Sequence, residues 1–148
     1  MKKYLLVIFL VSIGFITAHG QLNSEYEFKK FKYKCNNDTN SILLPADYQG
    51  PKYFCDEEGS ILNFVAPDLS MVSILCAGNT IINCSEIYSK IDTIKNENGG
   101  YSIIYFDEIK KIYARKLSTK KCFYMYCNAS FERKLQLDKA FAIIEKKE

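Results

Sequence analysis

Six cysteines carry the chemistry that most constrains this chain of 148 residues. An even number of cysteines in a chain of this length predicts three disulfide bonds, and the sequence leaves their pairing open. A metal site is the weaker interpretation, because the chain has no Cys-x-x-Cys pair and its only histidine, His19, lies near the N-terminus. The cysteines predicted to form disulfides are Cys35, Cys55, Cys76, Cys84, Cys122 and Cys127.

Histidine, the side chain most often used for acid–base catalysis, is missing from most of the chain. His19 belongs to a predicted leader, so the mature chain lacks the group that titrates near neutral pH, which excludes serine–histidine and cysteine–histidine catalysis. Adjacent carboxylates at 56–58 and 107–108 leave a carboxylate hydrolase as the enzymatic alternative. Acids in turn sequences are usually solvated, however, and the chain has no Gly-rich phosphate loop or zinc motif. We therefore expect no enzymatic activity and no cofactor.

The first 20 residues predict a signal peptide. Met1-Lys2-Lys3 is basic, residues 4–17 are apolar, and Ala18-His19-Gly20 places small residues where a signal peptidase cleaves. The apolar run is short for a bilayer span. We therefore expect a single secreted domain over 21–148 with no membrane partner. Whether such a protein acts outside cells or after entry into a host cell stays open.

Charge is distributed unevenly along the chain. Residues 35–108 contain eleven acidic and three basic residues, whereas residues 110–134 contain eight basic residues and one acidic residue. This pattern is typical either of two solvated faces or of a basic face that binds an anionic partner. The candidate binding residues of this basic face are Lys110, Lys111, Arg115, Lys116, Lys120 and Lys121.

Aromatic residues are abundant, with 11 tyrosines and 10 phenylalanines. Most are expected to fill the core. If Tyr124 or Tyr126 were exposed beside Lys120 and Lys121, they would add a stacking surface for a protein or for RNA.

Three Asn-x-Ser/Thr motifs predict N-glycosylation of a secreted chain. They begin at Asn37, Asn83 and Asn128, and the second and third of them adjoin cysteines.

The elements that would position these residues are mainly short strands. The stretch 99–127 has three runs of β-branched and aromatic residues separated by polar turns, which predicts an antiparallel meander over 101–106, 112–117 and 122–127. Earlier strands are predicted at 31–35, 53–55, 61–65 and 71–77, with a loop at 36–41.

Two segments have the spacing of helices. Ile87, Ile91 and Ile94 favour a short helix over 85–94. Ser130 can cap a C-terminal helix over about 130–146, along which apolar residues recur every three or four positions. The sequence therefore predicts an α+β fold, a small antiparallel sheet with one or two helices, held together by disulfides.

Three motifs resemble a known family. They are Tyr33-Lys34-Cys35, the Pro-x-x-Tyr-x-Gly-Pro pattern over 45–51, and Tyr-x-Ile-Ile-Tyr-x-Asp over 101–107 ahead of a late cysteine. Together they are similar to the ribonuclease-like candidate secreted effectors of powdery mildew fungi, which look like inactive relatives of fungal guanyl-specific ribonucleases. The resemblance implies a ribonuclease-like sheet, closed by a disulfide from Cys35 to Cys122 or Cys127.

The first functional expectation is a secreted, non-enzymatic effector of a fungal pathogen. It would act in virulence by binding a host protein, with RNA as the alternative partner, and so suppress host defence. The second expectation is a small disulfide-rich binder or inhibitor, of the salivary or venom kind, with an unrelated fold. Disulfide pairing separates the two, because only the first requires the bond from Cys35 to the end of the domain.

Overall fold

The computed structural model describes residues 26–35, 38–56, 59–76, 88–95 and 99–147. These residues form nine strands and one helix. The predicted signal peptide, Cys84, Asn37 and Asn83 lie outside the described residues. The elements are β1 (Phe28–Cys35), β2 (Asp38–Pro45), β3 (Gln49–Asp56), β4 (Gly59–Val65), β5 (Met71–Leu75), β6 (Ser89–Lys95), β7 (Tyr101–Asp107), β8 (Ile112–Ser118), β9 (Phe123–Ala129) and α1 (Phe131–Lys147).

The strands form two antiparallel sheets. Strands β1 and β2 make a separate hairpin, and the other seven form one sheet in the order β3-β4-β5-β9-β8-β7-β6. Two meanders, β3-β4-β5 and β6-β7-β8-β9, meet where β5 pairs with β9, for example at Val72 opposite Tyr126. The expected α+β class with a small ribonuclease-like sheet is therefore wrong. The described chain is mostly β, with a single C-terminal helix.

Two segments that were predicted as a loop and as a helix form strands in their described parts. The predicted loop at 36–41 is strand over 38–41, because residues 38–45 pair with β1 along their whole length, as in Lys32 opposite Ser41. The predicted helix at 85–94 is also wrong in its described part, since 89–95 form β6. Ile91 and Ile94 lie exposed on this edge strand, where β-branched side chains are well suited to extended backbone.

The C-terminal half follows the predicted pattern more closely. The meander expected over 101–127 is present as β7, β8 and β9. Helix α1 occupies the segment where helical spacing was found. Ser130 caps the helix, since its Oγ accepts the Arg133 N–H at 3.2 Å. Among the described residues, no helix has the length and apolar character needed to cross a membrane.

The core lies between one face of the large sheet and a layer made of the hairpin and α1. Phe31 of the hairpin packs edge-on against Phe64 of β4, with ring centroids 5.4 Å apart. Phe141 of α1 packs in the same way against Tyr126 of β9, at 5.2 Å. All four side chains are buried, and α1 also contacts β2. The fold is thus a sheet with a mixed covering layer, in which the hairpin and helix lie side by side.

A disulfide joins these two layers. Cys35, at the end of β1, bonds Cys76, which directly follows β5. The pairing of Cys35 with Cys122 or Cys127 that the family resemblance implied is therefore wrong. The Sγ atom of Cys122 lies 3.2 Å from that of Cys35, so Cys122 is a neighbour of this bond, and Cys127 is also disulfide-bonded. The side chain of Cys55 is outside the described part of the structure.

Candidate functional site: a lysine cleft

The predicted basic face does not form one surface. Lys110 and Lys111 lie in the turn before β8, and Lys120 and Lys121 lie in the turn after it. The strand between the two turns has seven residues, which at roughly 3.3 Å per residue separates them by about 20 Å. Lys116 lies within β8 and its Nζ sits over the Phe123 ring, 5.7 Å from the centroid. The structure therefore places four of the candidate lysines in two separate turns, and Lys116 on the strand between them.

Arg115 takes no part in an exposed basic surface, because it is buried between the sheet and α1. Its guanidinium binds Asp138 at 2.9 Å and Glu145 at 2.7 Å, both on α1, and donates to Ser102 Oγ at 2.6 Å. Burial alone would raise the pKa of Asp138, but hydrogen bonds from Lys134 and Arg115 outweigh it and lower that pKa. The cluster neutralises Arg115 and fastens the helix to the sheet.

Arg133 has a similar structural role at the start of α1. It pairs with Asp47 at 2.6 Å and with Asp68 at 2.9 Å, and its guanidinium lies over the ring of the buried Tyr48. Burial opposes ionisation of Asp68, but hydrogen bonds from Ser70 and Arg133 prevail and lower its pKa. Arg133 thus ties the helix to the turn before β3 and the turn after β4, which lie at the same end of this antiparallel pair.

The two tyrosines considered for a stacking surface are core residues. Tyr124 and Tyr126 are both buried, and Tyr126 donates to Asp138 at 3.0 Å. Burial also raises the pKa of Tyr126, so its hydroxyl stays protonated. The interpretation of the aromatic residues as core is the one that the structure supports.

Lys120 and Lys121, in contrast, border a cleft. The cleft lies between the hairpin, the β8–β9 turn and α1, and we call it the lysine cleft. It consists of two adjoining volumes of about 250 and 290 Å³, which share Asn40, Lys121 and Tyr124. Its charged lining residues are Lys30, Lys120, Lys121 and Asp38, three cations and one anion.

The turn that carries the two lysines is fixed by Thr119. Its Oγ1 accepts the Cys122 N–H at 3.1 Å and donates to the Cys122 carbonyl oxygen at 2.8 Å. The Thr119 N–H donates to the same carbonyl oxygen at 3.1 Å. Side chain and backbone therefore close the turn together, and Lys120 and Lys121 project from it as exposed residues.

The inner wall of the cleft is polar at one point. The hydroxyl groups of Tyr33 and Tyr124 lie 3.1 Å apart and are buried. Asn40 of β2 lines the cleft beside them. Hydroxyl and amide groups donate hydrogen bonds, and lysines supply positive charge, so the site has the groups that recognise a carboxylate.

Many lining residues were not among the sequence candidates, including Lys30, Tyr33 and Asn40. Lys30 precedes the alternating segment of β1, and Asn40 fell in the segment predicted to be a loop. Tyr33 was recognised as part of a strand and of the Tyr33-Lys34-Cys35 motif, but not as a residue of a binding site. The pairing of β1 with β2, which places Tyr33 opposite Asn40, is the information that was missing. Alternation in the sequence is a signal for β1 only, because β2 has four polar residues followed by four apolar ones.

One of the two acidic groups proposed for a carboxylate hydrolase is a turn element. Asp107 is buried, and its Oδ1 accepts the N–H groups of Ile109 at 2.9 Å and Lys110 at 3.0 Å. Its carboxylate therefore caps the β7–β8 turn. The side chains of 56–58 lie outside the described residues.

One of the three sequons is described. Asn128 lies exposed in β9 with a left-handed backbone, φ 57°. The Tyr88 hydroxyl donates to its Oδ1 at 3.2 Å, and the backbone N–H of Asn128 donates to the Tyr88 hydroxyl oxygen at 3.1 Å. Glycosylation at this site remains a prediction.

Comparison with known proteins identifies no relative of this chain. No family model matches the chain, and neither a curated protein nor a solved structure matches it. The function must therefore be argued from the lysine cleft itself.

Proposed function

We propose that the protein is a secreted, non-enzymatic binding protein that holds an acidic segment of a partner protein in the lysine cleft. The observation that most supports this proposal is a contrast between two sets of basic side chains: one set is ion-paired within the fold, and the other lines the cleft. Arg115, Arg133 and Lys134 all form ion pairs inside the fold. Lys30, Lys120 and Lys121, by contrast, surround the cleft with Asp38 as the one carboxylate among its described lining residues.

Of the two functional expectations, the disulfide-stabilised binder with an unrelated fold agrees better with the architecture. The effector hypothesis drew its fold from the family resemblance, and the sheet order and the Cys35–Cys76 bond differ from what that resemblance implied. A host protein remains the partner that we propose, since a secreted binder without catalytic groups acts by occupying another molecule.

A protein partner fits the cleft better than RNA. Binding of single-stranded RNA depends on aromatic rings on which bases stack, together with a basic groove that follows the phosphates. Here Tyr124 and Tyr126 are buried, and the lysines are divided between two turns. A short acidic peptide needs only the local charge that Lys30, Lys120 and Lys121 provide.

Charge reversal at the cleft tests the proposal. A fluorescein-labelled hexaglutamate peptide is titrated with the protein at low ionic strength, and anisotropy gives the dissociation constant. For the Lys120→Glu/Lys121→Glu variant we expect affinity to fall by about tenfold or more, because two attractive charges become repulsive. The matched control is Lys110→Glu/Lys111→Glu, which makes the same change of charge about 20 Å away and should weaken binding by less than about threefold through the long-range field.

Equal losses of affinity in the two variants would show that only net charge matters, and would overturn the assignment of the lysine cleft as the binding site. Unchanged affinity in the Lys120→Glu/Lys121→Glu variant would overturn it as well. The same titration with labelled octauridylate distinguishes RNA. Tighter binding of the RNA than of the peptide, lost in the same variant, would replace the protein partner with RNA.

A further inference from the structure

We infer that the segment held in the lysine cleft carries an aliphatic side chain on the same face as its acidic residue. This inference rests on the proposed function and specifies what the partner presents. It comes from the part of the cleft wall that carries no charge. The apolar lining residues are Ile42, Leu43, Ala140, Ile143 and Ile144.

The apolar wall belongs to the smaller volume, of about 250 Å³, between β2 and α1. Ile143 is one of the exposed large hydrophobic residues, with 37% of its surface accessible. Leu43 and Ile144 are half-buried beside it. An aliphatic group placed here would remove both its own surface and part of Ile143 from water, which favours binding.

The polar wall lies directly alongside. Lys121 and Asn40 line both volumes, and Lys120 lines the larger one. A ligand with a carboxylate at Lys121 therefore places its neighbouring group within reach of Ile143 and Ile144. The aliphatic stem of Lys121 can also cover part of an apolar side chain while its ammonium stays at the rim.

The size of the cleft limits what enters it. Each volume lies at or below the lower end, about 300 Å³, of pockets that hold small molecules. Together they suit two side chains on the same face of an extended peptide, which are two positions apart, and they are too small for a helix, which is about 10 Å wide. We therefore commit to an extended segment in which glutamate or aspartate is followed two positions later by leucine or isoleucine.

Three capped hexapeptides separate charge from apolar contact. They are Gly-Glu-Glu-Leu-Leu-Gly, which places Glu and Leu two positions apart on each face of an extended chain, Gly-Glu-Glu-Ser-Ser-Gly with the same charge, and Gly-Gln-Gln-Leu-Leu-Gly with the same apolar groups. Dissociation constants are measured by calorimetry with the full chain. We expect the first peptide to bind about tenfold more tightly than the second, the gain typical of burying a leucine side chain in part. The third should bind at least about tenfold more weakly than the first, because the charge is lost.

A pair of helix variants locates the apolar contact. Ile143→Ser removes an exposed side chain that lines the cleft, and Leu135→Ser removes an exposed side chain, 46% accessible, elsewhere on α1. Both spare the core, so both should fold. Ile143→Ser should abolish most of the advantage of the leucine peptide over the serine peptide, and Leu135→Ser should leave that advantage intact.

The outcomes separate this inference from the proposed function. If the glutamate–serine peptide binds as tightly as the glutamate–leucine peptide, and both are lost in Lys120→Glu/Lys121→Glu, the aliphatic contact is overturned while the lysine cleft stands. If Ile143→Ser and Leu135→Ser have equal effects, the apolar wall is not the contact. If no acidic peptide binds, both the inference and the proposed function fail.

Discussion

Arg115 shows how a single residue can have a different role from the one that its sequence neighbourhood predicts. It sits in the basic stretch 110–134, yet its guanidinium is enclosed by Ser102, Asp138 and Glu145. Local sequence reports the charge of a side chain but not the charges that the fold brings to it from 23 and 30 residues away. For this reason Arg115 could be identified as basic from the sequence, but not as part of the core.

Replacing Arg115 should therefore destabilise the fold. Arg115→Met keeps much of the side-chain volume but leaves Asp138 and Glu145 without their shared cation, which we expect to lower the free energy of unfolding by about 3 kcal/mol. Urea unfolding followed by circular dichroism measures this change. The control is Lys116→Met on the opposite face of the same strand, with an expected effect within about 0.5 kcal/mol. Equal effects of the two substitutions would show that the buried ion cluster contributes little.

The cysteines make a related point. The even number of cysteines predicted three disulfide bonds, and the Cys35–Cys76 bond confirms that the chain is disulfide-bonded. The partner of Cys35 could not be derived, because it depends on how the β1-β2 hairpin packs on the large sheet. That packing brings Cys35 beside both Cys76 and Cys122, so proximity alone would have allowed more than one pairing.

At the scale of elements, strands with clear alternation or with dense β-branched and aromatic residues were the predictable ones. The meander β7-β8-β9 is an example. Strand β2 was missed because its first half, Asp38 to Ser41, has the composition of a loop and is extended only through its pairing with β1. Strand β6 was missed because isoleucines spaced three apart fit a helix as well as an exposed edge strand.

The disulfide between the hairpin and the sheet gives a prediction at this scale. Peptide mapping of the unreduced protein by mass spectrometry should find Cys35 linked to Cys76, because the fold places the end of β1 beside the residue that follows β5. A Cys35→Ser/Cys76→Ser variant should keep the seven-stranded sheet but lose stability, by about 2–4 kcal/mol. A map in which Cys35 is linked to Cys127 would contradict the packing of the hairpin described here, because the two residues would then have to be adjacent.

At the scale of the whole molecule, α1 is held to the rest of the fold by carboxylates whose pKa values are lowered. Asp68 pairs with Arg133, and Asp138 pairs with Arg115 and Lys134. Both carboxyl groups have lower pKa values in the folded protein than the usual value. The unfolded chain therefore binds protons more readily than the folded protein as the pH falls below about 4.

Stability should follow from this difference in proton binding. Above about pH 5 both carboxylates are ionised in either state and the stabilisation is complete, whereas it is lost as the pH falls through the lowered pKa values. We expect the free energy of unfolding to be nearly constant from about pH 7 to 5 and to decrease below about pH 4. Urea unfolding at a series of pH values measures it, and Asp138→Asn should make the decrease shallower. A free energy that increases on acidification below about pH 4 would contradict the ion-pair account.

The arrangement of the strands in the whole molecule was the feature that could least be predicted from the sequence. The sequence supported a disulfide-bonded domain rich in antiparallel strands. The order β3-β4-β5-β9-β8-β7-β6, however, depends on pairing between β5 and β9, whose paired residues are 48 to 56 positions apart, and no local pattern encodes this pairing. The same is true of the lysine cleft. Lys120 and Lys121 were found as candidates, whereas Lys30 and Asn40 join them only once the hairpin has packed beside α1.

The central claim is that the lysine cleft is where the protein binds its partner. The most direct measurement is a two-dimensional NMR titration of the isotope-labelled protein with hexaglutamate peptide, which reports every backbone amide at once. We predict that the signals that shift most belong to Lys30, Asn40, Lys120 and Lys121, with small changes at Lys110 and Lys111. The largest shifts at Lys110 and Lys111, or shifts spread evenly over all exposed lysines, would contradict the claim.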